Sequence, residues 1–150
     1  MKKLFVILSI LVFVVGNANA QVKVSAPTVF GWPTKCTFHV EDTESNDLQL
    51  NMTLTGFVSL PEKPSLLLKL TDDSILELQG KRTFAAVEQM MGTDTHKEAA
   101  SFPLTRGQLD MIAKGVKKLR LDTQPKFFEK EWRNGKFGKQ LYKDYQKSKF

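Results

Sequence analysis

Cysteine and histidine are scarce in this chain. It has 150 residues, of which one is cysteine, Cys36, and two are histidines, His39 and His96. A single cysteine excludes an internal disulfide, and three such residues so placed have no zinc-ligand spacing. Cys36 sits in an extended-looking stretch, Lys35–Glu41, where Thr37, Phe38 and Val40 favour a strand. A buried, inert thiol is therefore expected. Three residues along a strand, His39 points to the other face, which disfavours a Cys-His nucleophile pair. A glycine-rich phosphate loop is also missing, because Gly135 and Gly138 lie in a basic, helix-like stretch and do not follow a strand. No internal repeat occurs.

Apolar runs are limited to one, at the N-terminus. Lys2 and Lys3 precede an apolar core from Leu4 to Gly16, and Ala18-Asn19-Ala20 ends it with small residues. A positive start, a short apolar core and an A-x-A end are the marks of a cleavable secretory signal peptide. The core is too short for a membrane span, which takes roughly 20 residues. The expectation is a signal peptide over 1–20 and a single globular domain over 21–150. No transmembrane segment is expected in the mature chain, which belongs in the periplasm or outside the cell.

Charge is unevenly placed. Residues 21–100 hold 7 Lys/Arg against 11 Asp/Glu, and residues 101–150 hold 13 against 5. In the cytoplasm a basic third raises nucleic acid as a partner. Export argues against nucleic acid and leaves an envelope protein, a glycan or an anionic surface as partner classes. Lys126, Lys130, Arg133, Lys136, Lys139, Lys143, Lys147 and Lys149 surround an aromatic stripe in the tail. If the stripe is exposed, the tail is a membrane-surface helix; if buried, the lysines form a solvated outer face. Burial is the expectation.

Residues 21–34, with Pro27, Gly31 and Pro33, read as an irregular lead-in. Leu48–Val58 is the clearest strand, with Leu48, Leu50, Met52 and Leu54 alternating against Gln49, Asn51, Thr53 and Thr55. Asn51-Met52-Thr53 matches a glycosylation sequon but reads as an ordinary outward strand position. Leu66–Leu70 and Ile75–Gln79 form a hairpin across Thr71-Asp72-Asp73-Ser74. Residues 83–91 fit either helix or strand, and strand is the expectation because the stretch continues the hairpin arm; 95–104 is expected as another strand. Thr105 and Gln108 fit a capping box opening a short helix, and Gly115 fits its left-handed terminator. Val116–Asp122 returns as a strand. From Pro125 the chain reads as helix, with Phe128 and Trp132 on one face and Phe137, Leu141 and Tyr145 on another stripe. Asn134, Gly135 and Gly138 weaken its middle. The expected fold class is α+β: a mainly antiparallel, curled sheet of about six strands, a short helix before the last strand, and a C-terminal helical segment.

Three of these stretches bear a family likeness: Leu66–Leu78, the pair Leu104–Leu109 and Gly115–Leu121, and Lys136–Leu141. The chain resembles small exported proteins of Bacteroidetes-type bacteria, which share the hairpin L-x-K-L-x-D-x-S-x-x-E-L, a helix ending in G-V-K-K-x-R and a final helix containing Lys and Gly. The resemblance implies a bacterial source and an envelope location. It carries no functional residues across.

No catalytic, cofactor-binding or metal-binding residues emerge, and no binding residues can be named. Asp42–Asp47 lacks the Gly and Glu that a calcium loop requires at its sixth and twelfth positions. The functional expectation is a non-enzymatic accessory or binding domain of the envelope or exterior. The alternatives are a small hydrolase using scattered carboxylates such as Asp42, Asp72 and Asp73, or an envelope-surface binder acting through the basic C-terminal helix.

Overall fold

Strict alternation of apolar and polar residues gives each strand one face to bury, and that pattern sets the architecture. A computed structural model describes residues 21–28, 31–43, 47–90 and 92–148. The expected signal peptide (1–20), Glu44–Asn46 of the Asp42–Asp47 turn, Met91 and Lys149 lie outside the described residues.

The elements are β1 (Val22–Pro27), β2 (Pro33–Asp42), β3 (Leu48–Gly56), β4 (Ser65–Leu70), β5 (Ile75–Gln79), β6 (Lys81–Met90), β7 (Thr93–Leu104), α1 (Arg106–Ala113), β8 (Val116–Leu121), β9 (Phe128–Glu131), a 3-10 turn (Arg133–Gly135) and α2 (Lys136–Ser148). All named strand pairs are antiparallel. The α+β class is correct, but the single curled sheet of about six strands is not. Among the described residues nine strands form two sheets, ordered β1-β2-β3-β7-β6 and β5-β4-β8-β9, and neither is curled. Chain direction explains the split. The segment after β3, punctuated by Pro61 and Pro64, leaves the first sheet for the second, and α1 makes the same crossing between β7 and β8.

Two stretches depart from their expected structure. Residues 22–27 are a strand, pairing Val22 with Phe38 through Pro27 with Pro33. Proline is tolerated at an edge strand's end, so Pro27 and Pro33 bound this hairpin without breaking it. Phe128 and Trp132 do not share a helix face, because Phe128–Glu131 is strand β9, paired from Leu121↔Phe128 to Lys118↔Glu131. A free sheet edge at β8 outweighed the helical spacing.

The two inner faces share one core. Val24, Cys36, Phe38, Leu50, Met52 and Phe102 come from the first sheet, and Leu66, Leu68, Leu119, Leu121 and Phe128 from the second. Leu109 and Ile112 of α1 and Phe137, Leu141 and Tyr145 of α2 close it. Phe137 meets Phe38 edge-on, ring centroids 5.3 Å apart. Burying each such side chain contributes roughly 1.5–3 kcal/mol. The expected stripe on the tail is thus buried, and its lysines face outward. The capping box is present: Thr105 Oγ1 accepts from Gln108 N at 3.1 Å, and Thr105 N donates to Gln108 Oε1 at 2.9 Å. Among the described residues no helix is long and apolar enough to cross a membrane.

Candidate functional site: a basic cleft at the helix–sheet seam

Two backbone segments pack closely where α1 hands over to β8 and the 3-10 turn hands over to α2. Gly115 (φ 131°) and Gly135 (φ 65°) stand against each other, and a Cβ on Gly135 would lie 2.8 Å from Gly115 Cα. Only glycine allows that approach and those dihedrals without strain. Thr71, from the β4–β5 turn, packs on both glycines, and its N–H donates to Gly115 O at 3.3 Å. Trp132 N donates to Lys117 O at 2.8 Å, which sets the indole beside β8. That indole stacks on Phe137, centroids 4.6 Å apart and planes 19° apart.

Above this floor lies an open cleft of about 700 Å³. Its charged lining is Lys114, Lys117 and Lys139, and Trp132, Thr71 and Asn134 supply an aromatic wall, a hydroxyl and an amide. The three lysines come from three places: the end of α1, the start of β8 and the first turn of α2. Among the described residues no carboxylate lines the cleft, and two stand at its rim. Lys117 hydrogen-bonds Asp73, and Lys69 approaches Asp73 at 3.9 Å. The Lys117 hydrogen bond holds the exposed Asp73 carboxyl below its ordinary range. Asp72 is likewise lowered, chiefly by the hydrogen bond from the Ser74 hydroxyl, then by the Ser74 amide, with a weaker contribution from Lys114. Among the described residues, Lys114 and Lys139 make no ion pair or hydrogen bond through their ammonium groups. Two free cations and one shared cation therefore face one space.

Of the described basic tail residues singled out from sequence, only Lys139 lines the cleft. Lys114 and Lys117 precede the tail, and reading the chain from Pro125 as a separate helical segment gave no reason to join them to it. Gly115 and Gly135, both at positive φ, stand against each other only in the folded chain, and nothing in their sequence positions marks that contact.

The other candidates are dispersed. Cys36 is 1% exposed, and burial pushes its thiol far above its usual range, which suits an inert core residue. His39 lies outside that core, 3.3 Å from Asp144 of α2. His96 Nδ1 is 3.7 Å from Glu98 Oε2. Asp42 accepts from Tyr145 Oη at 2.8 Å and faces Arg106 at the start of α1, whereas Asp72 and Asp73 neighbour Lys114 and Lys117 beyond its end. An eight-residue helix is roughly 12 Å long, beyond the ~5–9.5 Å over which paired carboxylates cooperate in glycoside hydrolysis. Asn51 is partly buried and Met52 is core. Among the described residues no group of three or more His, Cys, Asp or Glu could hold a metal ion.

No protein-family model, curated protein or solved structure matches the chain.

Proposed function

We propose that this chain is an exported, non-enzymatic binding domain of the bacterial envelope or exterior, and that it holds an oxyanion-bearing ligand in the Lys114–Lys117–Lys139 cleft. The observation that carries the reading is the convergence of three lysines from separate elements on one open cleft with an indole wall and, among the described residues, no carboxylate lining. Ammonium groups with no fixed partner bind sulfate, phosphate or carboxylate groups through charge-assisted hydrogen bonds. Export rests on the pattern of residues 2–20. The separation of Asp42 from Asp72 and Asp73 along α1 favours binding over the hydrolase alternative.

Two probes separate the sources of such an anion: a sulfated oligosaccharide, and vesicles containing phosphatidylglycerol. At low salt at least one of them binds, and binding weakens as salt rises, because exposed charges are screened over about 8–10 Å. Lys114→Ala combined with Lys139→Ala weakens it roughly five- to thirty-fold, the loss expected for two partly exposed ionic contacts. Undiminished binding by the double variant, or indifference of the native protein to both probes, rejects the reading.

A further inference from the structure

The second sheet buries one face and leaves the other open, and that open face has its own order. Side chains stand in cross-strand rows: Glu77, Leu67, Arg120 and Glu129 form one, and Ile75, Lys69, Lys118 and Glu131 the next. A third row begins with Gln79 and Ser65 and reaches Asp122, whose N–H donates to Ser65 O at 3.1 Å. Phe127 stands just before β9, alongside Asp122, because Leu121 pairs with Phe128.

Most polar groups on this face are engaged. Lys118 sits between Glu129 at 3.1 Å and Glu131 at 3.4 Å, which raises its pKa. Glu77 accepts from Gln79 at 2.7 Å and from Ser65 at 3.2 Å. Arg120 and Asp122 are the exceptions. The Arg120 guanidinium lies 3.8 Å above the Phe127 ring centroid, and its Nε is buried with no acceptor among the described residues. Laid over that ring, Arg120 is held away from Asp122, whose carboxylate makes no side-chain hydrogen bond or ion pair among the described residues. Between them opens a shallow groove of about 300 Å³, lined by Ser65, Leu67, Arg120, Asp122 and Phe127. Phe127 remains 48% exposed.

We propose that this groove is a subsite for a neutral saccharide ring. A donor-only guanidinium and an acceptor-only carboxylate lining one groove call for a ligand that offers both acceptors and donors. Adjacent sugar hydroxyls do so, and the C–H face of a sugar ring meets the apolar surface of Phe127 and Leu67. Ligands of either charge are disfavoured. An anion meets Asp122 with Glu77 and Glu129 nearby, and a cation meets Arg120. The volume lies at the lower end of small-molecule sites, about 300–1,000 Å³, which suits one ring of a longer chain resting on an open surface. The site is separate from the lysine cleft, shares no residue with it and stands or falls alone.

The test is a titration of the protein with maltotriose, cellotriose and chitotriose, followed by backbone amide NMR shifts. One of the three is expected to bind weakly, near the millimolar range, with shifts gathered at residues 65–67, 120–122 and 127. Asp122→Asn and Phe127→Ala each weaken it at least about five-fold, the cost of losing one good polar or ring contact. Asp122 is a partly exposed side chain outside the core, so its amide variant separates a binding loss from a folding failure. Absence of shifts at these amides with all three sugars overturns the proposal. So does an unchanged affinity in both variants, or tighter binding of a sulfated sugar at the same amides.

Discussion

Glu98 is a carboxylate placed where carboxylates are costly. It is 4% exposed on β7, beside Ala100 and Phe102. Both of its oxygens accept from Leu60 N at 3.2 Å, and Arg82 and His96 stand 3.7 Å away. Arg82 also donates to Leu60 O at 2.9 Å, so one buried acid fastens the 57–62 connection to the base of the β6–β7 hairpin. Removing a buried acid leaves a partner charge and an amide unsatisfied. Glu98→Ala is therefore expected to lose about 2–4 kcal/mol in urea unfolding, and Glu98→Gln less, because an acceptor for Leu60 remains. A loss for Glu98→Ala below about 0.5 kcal/mol, the level of ordinary surface changes, shows that the clamp is not structural. Period two along Glu98, Ala100, Phe102 and Leu104 already turns Glu98 inward. Its partners were not in that pattern: Arg82 is 16 positions away, brought in by the β6–β7 pairing, and Leu60 is 38 away, in the connection after β3.

At the scale of elements, α2 shows a local preference losing to packing. Glycine inside a helix costs about 1 kcal/mol relative to alanine, so Gly138 reads as a weak point. It sits in a continuous helix because only a bare Cα fits there. A Cβ at that position would lie 2.2 Å from Ile112 O and 2.7 Å from Val116 N, both backbone atoms that cannot move aside cheaply. The two effects oppose each other, and their sizes decide the outcome. Gly138→Ala gains about 1 kcal/mol of propensity and loses more, about 2–4 kcal/mol, to overpacking or undocking of α2. Thermal unfolding is thus expected at a lower temperature. A stabilised variant would contradict the docking of α2 on α1 and β8. The same competition explains β9, where helical spacing of Phe128 and Trp132 yielded to the backbone bonds offered by β8.

For the whole molecule, the uneven charge of the sequence becomes a spatial arrangement. Basic residues of the last third gather around the α1–β8 seam and the outer side of α2, and the rim carboxylates Asp72 and Asp73 come from the earlier, acidic part. Lys117 and Asp73 lie 44 positions apart and meet across the seam. The proposed export concerns the whole chain and has a direct check. The protein recovered from the periplasm or medium of its host is expected to begin at Gln21 on N-terminal sequencing. An intact Met1 on protein confined to the cytoplasm would reject it, and with it the envelope setting of both proposed ligands.

By itself the sequence determined what depends on neighbours along the chain. The alternation of β3, the hairpin of β4 and β5, the capping box of Thr105 and Gln108 and the left-handed Gly115 all follow from local sterics and hydrogen bonds. Tertiary structure decided what depends on distant partners: the strand at residues 22–27, the strand in place of a helix at 128–131, the division into two sheets, and both candidate sites. The lysine cleft needs Gly115 against Gly135, and the sugar groove needs Arg120 drawn over Phe127. Backbone bonds across a sheet and close packing of helices are satisfied between segments far apart in the chain, so neither juxtaposition has a local signature.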